Sequence, residues 1–394
     1  MASPINKPSN SPGHHFKVDK QPISPVTLGA INKDGSFHYT QALGNKPNDD
    51  VGPDTLYWLA SSTKIVTTIA VMQCVERGQI SLNDDIASLL PEWKDPKILT
   101  GFTEENEAIY KPATKAITLR HLLTHSSGMA YVFMDPLMSR YQELQENQPP
   151  RVTRSVAEKF PQDFLIFEPG ERFMYSPAID WAGLLVERIT NMKLGAYMQT
   201  HIFDIVGARD ATFHLEQREG HRVRKAKNWE RVGESGVQEQ EPPYYVERLE
   251  PDFGGGGLFA TVNDLLKIYQ GVLSGRLLRS ETARLMFQPQ LENAKGLDDP
   301  AEYSVPSRNA IWNSIPDDVP VDFGIGGVVN TAAVPKRRGV NSLTWSGLPN
   351  CYWWIDFNNG VAGVYLSQLV PTGDEKAVKL LADFEEFVYS SLDE

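Results

Sequence analysis

The sequence predicts an α/β fold of the α+β kind, in which an antiparallel sheet is flanked by helices and a mainly helical lobe is set into the chain. Three observations predict it. Strand patterns follow a polar start, strand-like apolar runs return towards the end, and the long middle reads as helices and loops. Strands from both ends around a helical middle imply one sheet assembled from distant segments, with a cleft beside the insert. On this reading residues 25–80 and 251–394 make the sheet domain, 81–250 the inserted lobe and 1–24 a poorly ordered N-terminal segment.

Each element has its own signal. The opening "MASPINKPSNSPGHHFKVDKQ" is polar and proline-broken, without the apolar centre of a signal peptide. "PVTLGAINKDGSFHYTQALG" alternates apolar and polar residues around Lys33-Asp34-Gly35, a hairpin signal. From Ser61 to about Gly78 the apolar positions Ile65, Ile69, Met72 and Val75 recur at helical spacing, and Gly78 stands where a C-cap would. Residues 80 to 250 include the helical stretches "ITLRHLLTHSSG", "DWAGLLVERITN" and "LGAYMQTHIFDIVG". After "TVNDLLKIYQGVLSG" come the strand-like runs "VDFGIGGVV", "NSLTWSG", "NCYWWIDF" and "GVAGVYLSQLV". The amphipathic "EKAVKLLADFEEFVYSSL" closes the chain and can pack on that sheet.

The bulk composition narrows the function classes. The chain has 394 residues, 41% hydrophobic and 22% charged, enough for one large domain or two lobes sharing a cleft. A formal charge of −12 argues against a broad surface for nucleic acid or anionic membrane. With no stretch of about 18 apolar residues and two cysteines, Cys74 and Cys351, in no metal-like spacing, the expectation is a cytoplasmic protein with neither disulfide nor metal.

Chemistry enters with "WLASSTK", where Ser61 precedes Lys64 by three residues at the start of an apolar helix. Residues i and i+3 share a helix face, so the amine can fold back onto the hydroxyl, as in an activated nucleophile. The plainer reading makes Ser61 a cap while Lys64 reaches water. In "EPGERFMYSPAIDW" a Pro-Gly turn leads to Tyr175 just before a helix, a candidate general base beside a Ser-Lys pair and otherwise a core tyrosine. "SLTWSGLPNCYWWID" reads as a strand edge where Gly347 would let a substrate approach the backbone, or as a simple bulge.

Together, S-x-x-K, the Y-S tyrosine and the W-S-G strand resemble the class C β-lactamase-like serine hydrolases, a group with penicillin-binding proteins and family VIII esterases. "LASSTK", "ITLRHLLTHSSGMAYVF", "DWAGLLVERIT", "LMFQP" and "SLTWSGLPN" are most similar to the fungal lovastatin-type acyltransferases and statin esterases within it, from about residue 26 onwards. The resemblance implies a serine β-lactamase/penicillin-binding-protein-like fold. It makes Ser61 the nucleophile, Lys64 the amine bonded to its hydroxyl and Tyr175 the proton shuttle, with either of the last two taking the serine proton. An amine held out of water loses some preference for its charged form and so can serve near neutral pH. The N–H groups of Ser61 and Leu348 would form the oxyanion hole, and Tyr131, Trp345 and Gly347 would bind substrate.

Two departures bear on the substrate. Lactamase-type enzymes carry an asparagine two residues after the tyrosine and a lysine or histidine opening the K/H-x-G strand; here those positions are Pro177 and Trp345. Penicillin-like ligands would lose both partners, and an aromatic wall suits an apolar ester. The implied activity is a serine carboxylic-ester hydrolase that needs no cofactor and removes a short branched acyl group from a bulky polyketide ester such as lovastatin. The alternative is an acyltransferase moving an acyl group from a thioester donor to a polyketide alcohol, for which an acyl-carrier domain is one donor it could use. Behind these stand a β-lactamase or carboxypeptidase and an inactive binding module. Other signals are set aside. His121 and His125 lie at i,i+4 with no acidic residue between, "GGGGLFATVNDLL" is a weak dinucleotide pattern, and the basic run from His221 to Arg231 is a solvated face or a carrier-docking patch.

Overall fold

The computed structural model describes residues 16–17, 24–44, 51–145, 155–160, 162–218, 220–233, 236–241, 243 and 251–392. Apart from Phe16, Lys17 and Ser24, the N-terminal segment expected to be poorly ordered lies outside these residues. The predicted hairpin is β1 (Val26–Asn32) and β2 (His38–Leu43), joined by a turn in which Gly35 adopts φ +78°. Asn32 and Asp34 brace the turn through the Ser36 and Phe37 amides.

The later runs supply β3 (Val321–Phe323), β4 (Val328–Asn330), β5 (Leu343–Gly347), β6 (Cys351–Asp356) and β7 (Val361–Ser367). They form one antiparallel sheet in the order β3-β4-β5-β6-β7-β1-β2. The two ends of the chain meet where Val26 pairs with Ser367 and Asn32 with Val361. Every residue of β6 and β7 is buried, because helices cover both faces.

Five helices matter for the site and its support: α1 (Lys64–Glu76), α2 (Leu119–Leu123), α3 (Ala178–Thr190), α4 (Val262–Leu273) and α5 (Glu375–Leu392). On one face α4 packs on β1 and β7, and α1 packs on α3. On the other face α5 lays Leu380, Leu381, Phe384 and Val388 against Leu28, Tyr39, Tyr352, Trp354 and Tyr365. The sequence starts the first helix at Ser61. Here Ala60–Thr63 is a 3₁₀ turn, and the α-helix begins at Lys64. All residues of α1 from Lys64 to Cys74 are buried, so its apolar stripe widens to the whole girth.

Between residues 81 and 250 the chain carries α2, α3 and shorter helices. It also carries strands at Lys97–Phe102, Ala108–Pro112 and Phe164–Leu165, and a hairpin of Trp229–Val232 with Gly236–Glu239. These strands are short and, apart from buried Ile98, Leu99, Phe164 and Leu165, half-buried or exposed, which leaves little apolar alternation to read. No helix among the described residues is long and apolar enough to cross a membrane. Both cysteines are free and buried, and burial pushes the Cys351 thiol up to about 12, so it stays protonated at neutral pH.

One buried ion pair pins α5 to the loop between β4 and β5. The Glu385 carboxylate, fully enclosed, accepts from the Arg338 guanidinium and from the Ser314 hydroxyl at 2.5 Å. Glu385→Ala strands the Arg338 charge in the interior, and urea unfolding should show a loss of about 3–5 kcal/mol. A change within 1 kcal/mol, on the order of an exposed pair, would mean that water reaches the guanidinium.

Candidate active site

Ser61 sits on a turn made rigid before the helix begins. The Leu59 N–H donates to the Leu258 carbonyl at 3.0 Å, and Ala60 adopts φ +44°, a left-handed conformation that costs a non-glycine residue about 1–2 kcal/mol. The next residue, Ser62, donates its hydroxyl to the Cys351 carbonyl at 2.8 Å, clamping the turn to β6. In a 3₁₀ turn, side chains at i and i+3 eclipse, which aims Ser61 and Lys64 the same way.

Lys64, 1% exposed, donates from Nζ to Ser61 Oγ at 3.1 Å, to the Gly255 carbonyl at 2.7 Å and to the Tyr131 hydroxyl at 3.4 Å. Tyr175 donates its hydroxyl to Ser61 Oγ at 2.5 Å. The Lys64 Nζ also lies 5.0 Å from the Tyr175 ring centre. Residues 114 positions apart in sequence therefore converge on one oxygen. The backbone explains how: the Tyr131 N–H donates to the Tyr175 carbonyl at 3.1 Å, tying the segment after α2 to the one before α3. Burial, with Tyr175 and Asp180 nearby, pushes the Tyr131 hydroxyl well above the ordinary tyrosine range, so it is a neutral partner for Lys64.

Aromatic rings build the wall. Trp345 is buried, its ring 5.1 Å from that of Tyr175 and stacked on His125 at 6.2 Å. His125 meets Tyr175 edge-on at 5.0 Å and shares a 3.0 Å hydrogen bond between Nδ1 and Ser176 Oγ. Burial, reinforced by Lys64, holds its imidazole well below the usual range, so it is neutral at pH 7 and packs the tyrosine ring. At the mouth, Phe133 is 73% exposed yet stacked within 10° of parallel on Tyr131.

Gly347 ends β5 against the Ser61 turn. A Cβ there would lie 2.1 Å from the Leu59 carbonyl oxygen, so the close approach this glycine permits is that of the chain's own backbone. Leu348 follows in the turn out of β5 and is exposed. Pro177 precedes the first turn of α3, so position 177 offers no side-chain amide to a ligand.

Sequence reasoning set His125 aside in a pair with His121, and the two rings part company. His121 accepts at Nδ1 from the Thr118 N–H at 3.1 Å and faces Glu292, while His125 joins the site. The basic run is bound up in ion pairs: Arg224 with Asp210, Lys227 with Glu239 and Arg231 with Asp374. Three participants were missed: His125, Phe133 and Asp180. Asp180 had a signal, an acidic residue in the first turn of the helix that follows Tyr175.

A serine oxygen gripped by an amine and a phenol can attack a carbonyl when one neighbour stands deprotonated, as free amine or phenolate, to receive its proton, which is the chemistry of acyl transfer. The comparisons with known proteins point the same way. The family model described as Beta-lactamase matches residues 26–386. Lovastatin esterase of Penicillium rubens is 33% identical over 94% of this chain and 96% of its own. Monacolin J acid methylbutanoyltransferase of Aspergillus terreus is 33% identical over 95% and 93%. Among solved structures, Simvastatin Synthase (LovD) from Aspergillus terreus superposes with a TM-score of 0.83 at 32% identity, covering 94% of this chain and 95% of that one. The mixed fold of helices and antiparallel sheets is thus the one these enzymes share.

Proposed function

Because the chain belongs to the Beta-lactamase family, we propose that it is a serine esterase that works through an acyl-Ser61 intermediate. The observation that carries the reading is the convergence of Tyr175 at 2.5 Å and Lys64 at 3.1 Å on Ser61 Oγ. As the hydroxyl attacks an ester carbonyl, its proton passes to the neutral Lys64 amine, or to a Tyr175 phenolate whose own proton Lys64 holds, and then to the departing alcohol. The N–H groups of Ser61 and Leu348 receive the developing oxyanion, and water then releases the acid. Tyr131 and Trp345 shape the acyl side, while Gly347 gives the Ser61 turn room against β5. The substrate is a short branched acyl ester of a bulky polyketide alcohol, in line with the relative named for lovastatin.

The relative named as a methylbutanoyltransferase favours a second reading, in which an alcohol takes the place of water on the same acyl-Ser61. The ion pairs of the basic run speak against a carrier-protein donor, since its charges already have partners. Intact-protein mass spectrometry with an ester panel, with and without an acceptor alcohol, tests both. A mass increase equal to the acyl group, lost without added alcohol as free acid appears, supports the esterase. Quantitative conversion of the alcohol to ester supports the transferase.

The wall of Trp345 and the proline at 177 favour esters over β-lactams. Short-chain p-nitrophenyl esters should turn over readily and nitrocefin hardly at all, on the order of 100-fold less in kcat/KM, because neither position offers a β-lactam a polar partner. Efficient nitrocefin hydrolysis would contradict the substrate assignment.

A further inference from the structure

We infer that Asp180 is the positioning residue for Lys64, acting through the backbone of Gly255. The inference rests on the proton-transfer role proposed above for Lys64. Asp180 is 2% exposed and lies in the first turn of α3, where the helix N-terminus favours a negative side chain. Its Oδ1 accepts the Gly255 N–H at 3.0 Å, and the Gly255 carbonyl in turn accepts Lys64 Nζ at 2.7 Å. That is shorter than the amine's bonds to Ser61 and Tyr131, at 3.1 and 3.4 Å.

The geometry matters because a lysine has a flexible stem and three rotating donors, so its place is set by the acceptors around it. Two of these are hydroxyls that can swing. The third is a backbone carbonyl, only as fixed as its loop. That loop is Gly254 to Gly257, four residues with the widest backbone freedom of any. Side chains from elsewhere hold it: Thr67 Oγ1 donates to the Gly254 carbonyl at 2.7 Å, and Trp58 Nε1 to the Gly256 carbonyl at 2.7 Å. Asp180 holds the residue between. Its grip is close, for a Cβ on Gly255 would lie 2.1 Å from Asp180 Oδ2. Freeing Gly255 lets the lysine drift from Ser61 without touching the acyl pocket, so the loss falls on kcat.

The test compares the full chain with Asp180→Ala, Asp180→Asn, Thr67→Val and Lys64→Ala on p-nitrophenyl butyrate, with thermal melts alongside. Asp180→Ala should lower kcat at least tenfold with KM within about twofold, since a misplacement near 1 Å can cost up to about 100-fold. Asp180→Asn keeps an acceptor for the Gly255 N–H and should stay within about threefold of the native kcat. Thr67→Val, which frees the neighbouring Gly254, should fall between them. A folded Asp180→Ala protein with native kcat, or an Asn variant as impaired as the Ala one, overturns the inference. Where Asp180→Ala does not fold, Thr67→Val decides: reduced kcat at unchanged KM supports the loop's role, and unchanged kcat overturns it. An active Lys64→Ala protein would instead remove the lysine assignment beneath, a separate result from any in the Asp180 pair.

Discussion

Ser61→Ala should lose turnover by about 10⁴-fold or more, because the members of a unit that acts together are each close to indispensable. The hydroxyl is the common partner of Lys64 and Tyr175, and nothing beside it replaces the oxygen: Ser62 points away and is committed to the Cys351 carbonyl. The fold should be unaffected. The turn is held by Leu59, Ser62 and the backbone of Ala60, none of which uses the Ser61 side chain. Ester binding should also persist in calorimetry, since the aromatic wall remains. A clean preparation with near-native kcat would end the nucleophile assignment.

Lys64→Arg should be nearly as damaging as Lys64→Ala, with a loss of about 10²–10⁴-fold, the range that a positioned proton-transfer group contributes. A guanidinium never gives up its proton at usable pH, so it cannot accept one from Ser61 or Tyr175. It must also fit a site in which the native amine is 1% exposed and already bonded to Gly255, Ser61 and Tyr131. Tyr175→Phe belongs to the same experiment. It should lose activity to a similar degree while melting at nearly the native temperature, because the ring still packs on His125 and Trp345. Were Lys64→Arg to keep most of its rate, the lysine would be serving as a fixed charge.

Much of the site could be read in one dimension. The Ser61–Lys64 spacing is local, and the turn between them needs only four residues to put both side chains on one face. Tyr175 stood out because a Pro-Gly turn and a helix start bracket it. The strands of the sheet were legible too, since β6 and β7 are long apolar runs, and the closing helix announced its apolar stripe. What the sequence by itself determined were features with a short repeat or a short span: hairpin, helices, strands and the S-x-x-K pair.

Contacts between distant segments were decided only by the tertiary structure. Gly347 read as a place where substrate nears the backbone, whereas its missing Cβ makes room for the Leu59 carbonyl, 288 residues earlier in the numbering. His125 looked like half of a helical pair, yet a left-handed turn at φ +52° swings it away from His121 and under Tyr175. Asp180 gave a weak signal as a first-turn acid, but its partner is a glycine amide 75 residues on. Local periodicity carries no information about which backbone amide a buried carboxylate will meet, because that pairing is set when the sheet, α1 and α3 close on one another and every buried polar group must find a partner.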